Sequence, residues 1–283
     1  MAVVLITGCR SGIGLATALA FGRRGDRVYA TMRDPARGER LSQIVRREGL
    51  NVAVEALDVT SDDQITRTVA TIIASDGRVD VLVNNAGVPG VAAAIEELDE
   101  SVARTTFETN FWGPFRLSRA VLPHMRRQGQ GVIVNVSSFA ARFPGSGVLA
   151  IYGLTKHLVS RLSESLQDEL TSTGVRVVAI EPGFFATEIY DSAKRGTIDP
   201  MSPYAAMVAA TDAAIADGIA AGADPSIVAA AIVTAVDDPS SPTCVLVGDD
   251  AVAAVEEFRQ AEYGSWRSAT SPVGASDAHV KHH

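Results

Sequence analysis

The sequence predicts an α/β protein, a single domain built around a doubly wound parallel sheet of seven strands with helices on both faces. Two observations predict this fold. Short runs rich in β-branched residues alternate with longer amphipathic segments, an order typical of parallel strands joined by right-handed helical crossovers. The length of 283 residues is ordinary for one such unit and is sufficient to bury a large core.

The strands are predicted from short runs of Val, Ile and Leu, because a parallel sheet is covered by helices on both faces and its strands are apolar throughout. The first run is followed by a glycine-rich turn, and the fourth ends in Asn84 with a second asparagine after it. The complete set of predicted strands is 3–7, 27–32, 52–57, 79–84, 131–137, 176–181 and 243–247.

The helices are predicted from amphipathic repeats and from capping residues. The segment 60–63, Thr-Ser-Asp-Asp, is typical of a helix start, and so is Asp224 followed by Pro225 at the first helical position. These signals predict helices at 13–24, 60–75, 99–127, 152–170 and 224–236. Within 152–170 leucines recur every fourth residue, which predicts a buried stripe formed by Leu154, Leu158, Leu162, Leu166 and Leu170.

The composition indicates a soluble, cytoplasmic protein. Charged residues make up 20% of the chain, and no apolar run reaches the ~20 residues that a membrane helix needs. The chain starts without the basic segment of a secretory signal, and its two cysteines, Cys9 and Cys244, make neither a disulfide framework nor a CxxC pair. A net charge of -8 argues against general nucleic-acid binding. We expect no metal site, and we expect a disordered tail at 268–283 after a domain spanning 1–267.

A glycine-rich turn follows the first predicted strand and opens the first predicted helix. Glycines at 8, 12 and 14 allow the backbone to turn tightly and allow a pyrophosphate to approach the amides at the helix N-terminus. A glycine trio alone is weak evidence, but its position between strand and helix favours a dinucleotide site. The spacing is Gly-x-x-x-Gly-x-Gly, which differs from the commoner Gly-x-Gly-x-x-Gly.

Tyr152 and Lys156 are four residues apart in a predicted helix, so their side chains share one face. An adjacent ammonium favours the phenolate and is expected to lower the tyrosine pKa, which suits the pair to acid–base chemistry. The same spacing arises by chance in many helices, where the tyrosine packs and the lysine is solvated. The glycine turn, the Asn84-Asn-Ala-Gly87 segment and a Ser137-Ser138 strand end favour the functional interpretation.

Together these motifs resemble the short-chain dehydrogenase/reductase family. The resemblance covers about residues 1 to 248 and is carried by Thr7-Gly-x-x-x-Gly-Ile-Gly14, Asn84-Asn-Ala-Gly87, Ser138, Tyr152-x-x-x-Lys156 and Pro182-Gly183. Within the family, the opening Val-Val-Leu-Ile-Thr-Gly-Cys and the later Val-Tyr-Ala-Thr-Met-Arg-Asp are similar to hydroxysteroid and retinol dehydrogenases. The resemblance implies a Rossmann-type fold and NAD(P)-dependent oxidation and reduction.

The resemblance implies a catalytic role for four residues. Tyr152 would exchange a proton with a carbonyl or alcohol, and Lys156 would hold the nicotinamide ribose and lower the tyrosine pKa. Ser138 would donate a hydrogen bond to the substrate oxygen, with Ser137 as the rival for that role. Asn110 would help a water connect Lys156 to solvent. The alternative for Asn110 is a buried helical asparagine satisfied by backbone groups.

The resemblance also implies a set of cofactor contacts. Asp58 would contact the adenine, Asn84 and Gly87 would form the wall beneath the adenosine, and Thr187 would bind the nicotinamide carboxamide. An alternative for Asp58 is a carboxylate at a helix start. The full set implied by the family, besides Tyr152 and Lys156, is Gly8, Arg10, Ser11, Gly12, Ile13, Gly14, Arg33, Asp58, Val59, Asn84, Ala86, Gly87, Pro182, Gly183 and Thr187.

The end of the second strand favours NADP over NAD. An acidic residue at this point binds the ribose 2′-hydroxyl of NAD, whereas an arginine accommodates the 2′-phosphate of NADP. Met32 occupies the acidic position, Arg33 follows it, and Arg10 in the glycine turn provides a second cation. NAD remains the alternative cofactor because of Asp34: a shift of one residue in the alignment would bring its carboxylate to the ribose.

A lid over the substrate is expected at about 184–222. It is rich in aromatic residues and methionine, which predicts a lipophilic ketone, aldehyde or secondary alcohol, steroid-, retinoid- or polyketide-like; the alternative is that half of these side chains pack the lid onto the sheet. Members of this family commonly pair two long helices, here around 99–127 and 152–170, so a homodimer or homotetramer is expected.

Two other functions fit the same fold. The chain could be a catalytically silent NAD(P)-binding regulatory protein, because fold does not determine function. It could also be a sugar-nucleotide epimerase or dehydratase, but the glycine spacing and the lack of a sizeable C-terminal domain argue against that class. The intact Asn110, Ser138, Tyr152 and Lys156 set favours the oxidoreductase.

Overall fold

The computed structural model describes residues 1–143, 147–189 and 200–270, without side chains for 262–270. Its centre is a sheet of seven parallel strands in the order β3-β2-β1-β4-β5-β6-β7. The strands are β1 (Val3–Thr7), β2 (Arg27–Met32), β3 (Val52–Ala56), β4 (Val81–Asn84), β5 (Gly131–Val136), β6 (Val175–Pro182) and β7 (Cys244–Val247). The predicted doubly wound α/β fold is confirmed.

Nine α-helices cover the sheet within the described residues: α1 (Gly12–Arg23), α2 (Glu39–Glu48), α3 (Asp62–Asp76), α4 (Glu100–Phe107), α5 (Gly113–Gln128), α6 (Ala150–Glu169), α7 (Ala205–Ala220), α8 (Ser226–Asp237) and α9 (Asp249–Thr270). Successive residues of β1 point to opposite faces. Val4 and Ile6 join a core with α1, α2 and α8, and Val3 and Leu5 join a second core with α3, α5 and α6.

The strand order reverses between β1 and β4. The chain passes from β1 outwards to β2 and β3 and then returns to the other side of β1, where β4 pairs with it from Val4 to Ile6. Loops that leave the carboxyl ends of β1 and β4 therefore diverge to opposite faces and leave a crevice between them. The glycine-rich turn follows β1, and Asn85 to Gly87 follows β4, so both border this crevice.

The long helix predicted at 99–127 is interrupted. Glu108–Trp112 forms a π-helical turn between α4 and α5, a local widening that is frequent at functional sites. Three helices, α2, α7 and α9, were not predicted. Only Leu41 is buried among the described side chains of α2, so its apolar signal is weak. The last helix, α9, extends to Thr270, so the first three residues of the tail expected to be disordered continue this helix; 271–283 lie outside the described residues.

The predicted buried leucine stripe of α6 is wrong at its N-terminal end. Leu154 and Leu158 are 45% and 37% exposed, while Leu170 is buried. Residues four apart rotate by about 40° per step around a helix of 3.6 residues per turn, so the five leucines sweep across nearly half its circumference. The face against the sheet is made of small and polar residues instead, namely Gly153, Thr155, Lys156, Val159, Ser160 and Ser163.

Candidate active site

The glycine-rich turn is locked to the end of β4 by hydrogen bonds. Thr7 Oγ1 accepts from the backbone amides of Asn85 and Ala86, both at 3.0 Å, and Asn85 Nδ2 donates to the Thr7 carbonyl at 2.9 Å. The turn needs glycine at Gly14, where an added Cβ would lie 2.3 Å from the Gly8 carbonyl oxygen. Gly8 itself has φ of +72°, a region that favours glycine.

A groove of about 230 Å³ runs beside this turn, between the ends of β1, β2, β3 and β4. Its position beside the glycine-rich turn, at the N-terminus of α1, suits the pyrophosphate part of a dinucleotide. The structure brings to it most of the predicted cofactor residues, namely Gly8, Arg10, Ser11, Gly12, Ile13, Arg33, Asp58, Val59, Ala86, Gly87 and Thr187. Gly14 lies beneath them, packed against Gly8.

The expected cofactor contact by Asn84 is not supported by its position. Asn84 is buried at the end of β4, and its Nδ2 donates to Asn135 Oδ1 of β5 at 2.8 Å, inside the layer between the sheet and α5. Successive side chains of a strand alternate in direction, so the next residue points the other way. Asn85 borders the groove and the adjoining cavity, and it was not selected from the sequence.

Arginine side chains gather at the adenosine end of the groove. Arg10, Arg33 and Arg37 all line it, and Arg37 was missed because it lies in a short 3₁₀ turn after β2. Asp34, the residue that left NAD as the alternative cofactor, caps that turn: its Oδ1 accepts from the Ala36 amide at 3.0 Å. Arg10 also lies 3.9 Å from the Glu188 carboxylate.

A larger cavity of about 930 Å³ adjoins the groove and contains Ser138, Tyr152, Lys156, Pro182 and Gly183. Lys156 is only 5% exposed, and its Nζ donates to the Val136 carbonyl at 2.9 Å. Burial lowers the pKa of Lys156 to about 8, because a charged amine is poorly solvated there. The amine is therefore easier to deprotonate than an exposed lysine.

The pKa of Tyr152 differs from the expectation. We expected Lys156 to lower its pKa; instead, burial raises the Tyr152 pKa, and a hydrogen bond with Ser138 acts in the opposite direction. Lys156 Nζ lies 5.8 Å from the centre of the tyrosine ring. The phenol is therefore protonated at neutral pH and available as a proton donor beside Ser138.

The two serines at the end of β5 have different partners. Ser137 Oγ donates to the Lys156 carbonyl at 2.8 Å, so its hydroxyl is directed into α6. Ser138 caps the 3₁₀ helix Phe139–Arg142, where its Oγ accepts from the Ala140 amide at 3.2 Å, and it lies close enough to Tyr152 to lower the pKa of that phenol. This difference supports Ser138 over Ser137 as the residue facing a substrate oxygen.

Asn110 is buried in the π-helical turn. Its Oδ1 accepts from the Val88 amide at 2.8 Å, and its Nδ2 donates to the Val88 carbonyl at 2.9 Å and to Thr155 Oγ1 at 3.1 Å. A Cβ added to Gly87 would lie 3.4 Å from Asn110 Oδ1 and 3.6 Å from Lys156 Nζ. The Asn110 amide group therefore has hydrogen-bond partners inside the protein, as expected for a buried structural asparagine. It also lies close to Lys156.

The wall of the larger cavity away from Tyr152 is apolar. Four phenylalanine rings form a chain of edge-to-face contacts, Phe258 to Phe143 at 5.1 Å, Phe143 to Phe139 at 5.7 Å and Phe139 to Phe184 at 5.5 Å between ring centres. Only Phe184 was anticipated. Phe258 reaches the cavity from α9, and no local pattern in the sequence points to that contact.

The predicted lid is partly described. Phe184, Phe185, Ile189 and Met207 line the cavity, with Phe185 also buried against the sheet. α7 adds a further apolar side, including Ile215 and Ile219. Tyr190 and the polar stretch 191–197 lie outside the described residues.

Among the residues with a described placement, no group of three or more His, Cys, Asp or Glu side chains could hold a metal ion. Over the same residues, no helix is long and apolar enough to cross a membrane.

Comparisons with known proteins bear on the same segments. A family model described as short chain dehydrogenase matches residues 2–197. Oxidoreductase BOA17 of Botryotinia fuckeliana is 35% identical over 250 residues, which are 87% of this chain and 89% of that protein. Retinol dehydrogenase 8 of Homo sapiens is 38% identical over 191 residues, which are 65% of this chain and 59% of that protein.

Solved structures share the whole architecture. A short-chain dehydrogenase from Streptomyces avermitilis is 34% identical with a TM-score of 0.82, covering 96% of this chain and 98% of that one. A protein of the same class from Burkholderia phymatum, in complex with NAD, is 25% identical with the same score and coverage. A metagenomic short-chain oxidoreductase in complex with NADP is 26% identical with a TM-score of 0.70, covering 87% and 96%.

Proposed function

The chain belongs to the short-chain dehydrogenase family, and from this premise we propose that Ser138, Tyr152 and Lys156 are the catalytic residues of this NAD(P)-dependent oxidoreductase. The observation that carries the proposal is their convergence where the dinucleotide groove meets the apolar cavity. The bound nicotinamide supplies or accepts the hydride. The chain's own residues bind and orient the substrate and move the proton.

In the direction of reduction, the Tyr152 hydroxyl gives its proton to the substrate carbonyl oxygen. Ser138 donates a hydrogen bond to the same oxygen as negative charge develops on it, which lowers the barrier. Lys156, when protonated, stabilises the tyrosinate left behind and binds the ribose. Asn110 positions the backbone near Lys156 for return of the proton from solvent. In the direction of oxidation each proton moves the opposite way.

The proposed cofactor is NADP, with NAD as the alternative. Arg10, Arg33 and Arg37 form the cationic end of the groove, and the Asp34 carboxylate is engaged in capping a turn. A planar guanidinium suits a phosphate because it donates two parallel hydrogen bonds. The three arginines together support binding of the 2′-phosphate.

The proposed substrate is a lipophilic ketone or aldehyde, or the corresponding secondary alcohol. Ser138, Tyr152 and Lys156 line the larger cavity, and most of its remaining wall consists of phenylalanine and aliphatic side chains, with Asn85, Ser137, Thr187 and Thr211 as polar exceptions. Such a wall stabilises an apolar ligand by roughly 25 cal/mol per Å² of area removed from water. The relative named retinol dehydrogenase 8 supports the same class.

The proposed assembly is a homodimer or homotetramer. Trp112, Leu154 and Leu158 are large and exposed, and they lie on the two helical segments that were expected to pair. A cluster of this kind suits an isologous contact between copies. We also propose a cytoplasmic location, which agrees with two free cysteines.

The test is turnover with a panel of carbonyl compounds. We expect NADPH absorbance to fall with ketones of matched reactivity, and kcat/KM to rise with their apolar area. Phe184→Ala is expected to flatten that selectivity. Cofactor binding without turnover of any carbonyl or alcohol would support the regulatory alternative. Best activity on a sugar phosphate would overturn the lipophilic substrate and keep the reductase.

A further inference from the structure

A buried carboxylate, Glu181, ends β6 below the active site without lining either cavity. The residue is 0% exposed. Its Oε2 accepts from Arg142 Nε at 2.6 Å, and its Oε1 accepts from Ser160 Oγ at 2.7 Å. Removing an ionised carboxylate from water is costly even when it is paired, and an apolar residue would serve the sheet better. Glu181 therefore calls for a role beyond strand formation.

Hydrogen bonds lead from Glu181 to the helix that carries Tyr152 and Lys156. The hydroxyl oxygens of Ser160 and Ser137 are 2.9 Å apart, and Ser137 donates to the Lys156 carbonyl. Ser160 lies on α6, so its hydrogen bond to Glu181 joins β6 to this helix directly, and Ser137 joins the end of β5 to the same helix through the Lys156 carbonyl. The network thus joins β6, the end of β5 and α6.

Arg142, the other partner of Glu181, restrains Ser138 from its C-terminal side. Arg142 ends the 3₁₀ helix that Ser138 caps, so Ser138 lies between two restrained points, Ser137 and Arg142. Val136, one residue before Ser137, supplies the carbonyl that accepts from Lys156 Nζ. The orientation of the serine and the position of the lysine amine therefore depend on the same network.

We propose that Glu181, together with Arg142, is a positioning residue for the reaction. This inference rests on the proposed function. Glu181 touches neither cavity, and it holds Ser138 and Lys156 in register with Tyr152. Placement matters at this scale, because a displacement of about 1 Å among reacting groups can cost about 100-fold in rate.

The decisive variant is Glu181→Gln. Glutamine keeps the length and one oxygen for Ser160, but it removes the charge that holds Arg142. We expect kcat to fall about 10- to 100-fold, while the Kd for NADPH changes by less than about three-fold, because the dinucleotide groove is built from other residues. An unchanged kcat would overturn the proposal.

Two further variants separate positioning from stability. Asp80→Asn breaks the more exposed Arg78–Asp80 ion pair at the opposite, amino end of the sheet, where Asp80 also accepts from the Val3 amide. It is expected to lower the Tm and leave the kcat of folded enzyme unchanged. The double variant Glu181→Gln/Arg142→Met removes both charges and is expected to recover Tm and not kcat. If the double variant recovered both Tm and kcat, Glu181 would have only a structural role. The same conclusion would follow if Asp80→Asn lost as much kcat as Glu181→Gln.

Hydrogen exchange provides a readout that does not depend on turnover. Glu181→Gln is expected to accelerate amide exchange in 136–143 and 153–160, and Asp80→Asn is expected to leave both segments unchanged. If the wild-type protein turns over no carbonyl or alcohol, the proposed function fails, and exchange alone decides this inference. Unchanged exchange in both segments of Glu181→Gln would then overturn it.

Discussion

Replacing Lys156 by methionine is expected to make the protein more stable and inactive. Burial holds the pKa of Lys156 at about 8, against its ordinary 10.5. Below pH 8 this difference corresponds to about 3 kcal/mol by which the charged amine destabilises the folded state. Methionine fills a similar volume without charge, but the Val136 carbonyl loses its hydrogen bond, which offsets about 1 kcal/mol. The net expected gain is therefore about 2 kcal/mol.

The pH dependence of this gain has a definite sign. The folded-state pKa lies below the unfolded one, so the unfolded chain binds more protons between pH 8 and 10.5, and wild-type stability attributable to Lys156 rises with pH over that window. The methionine variant carries no such dependence. Its advantage is expected to shrink from about 2 kcal/mol at pH 7 to less than about 1 kcal/mol at pH 9.5.

The assay is equilibrium urea unfolding of the cofactor-free protein at pH 7 and pH 9.5, with turnover measured in parallel. Arg161→Met is the matched control, because it places methionine on the same helix at a side chain that is 44% exposed. It is expected to change the free energy of unfolding by less than about 1 kcal/mol. A Lys156→Met variant that is no more stable than wild type at pH 7, or an advantage that does not shrink at pH 9.5, would refute the reasoning.

Four further predictions test the proposed roles. Tyr152→Phe is expected to abolish turnover and leave NADPH affinity within a few-fold, whereas Lys156→Ala should damage both; equal loss of cofactor binding contradicts the assignment. Arg33→Ala is expected to weaken NADPH binding about 10- to 100-fold with little effect on NADH, and a parallel loss for both cofactors counts against a 2′-phosphate contact. Gly14→Ala should lower cofactor affinity and stability together, by about 1 to 3 kcal/mol for stability, since its Cβ meets the Gly8 carbonyl. Light scattering at micromolar concentration should give a dimer or tetramer, and Leu158→Arg should give a monomer.

Much of the fold follows from local patterns in the sequence. All seven strands appear within two residues of their predicted ends, because buried parallel strands are rich in Val, Ile and Leu and so stand out as short apolar runs. Failures occur where the local pattern is ambiguous. The leucine period of α6 is consistent with a buried stripe, yet only the direction of the helix on the sheet shows that Leu154 and Leu158 face outwards.

The site divides in the same way. The glycine turn and the Tyr152–Lys156 pair are recognisable because their residue types and spacings are set by short-range geometry, whereas the role of Ser138 was implied by the family resemblance. Asn84 was expected at the cofactor, but the alternation along β4 turns it into the protein and presents Asn85 instead. Which of the two asparagines faces the groove depends on the residue at which β4 ends.

The sequence by itself determined the fold class and the local motifs of the glycine turn and the Tyr152–Lys156 pair, because each of these depends on residues close together in the chain. Only the tertiary structure decided which distant side chains meet. Phe258 reaches the larger cavity from α9, and Glu181 joins Arg142 to Ser160 below it. Contacts of this kind leave no periodic signal, because they depend on how separate helices and strands cross in space and not on the spacing of residues within any one of them.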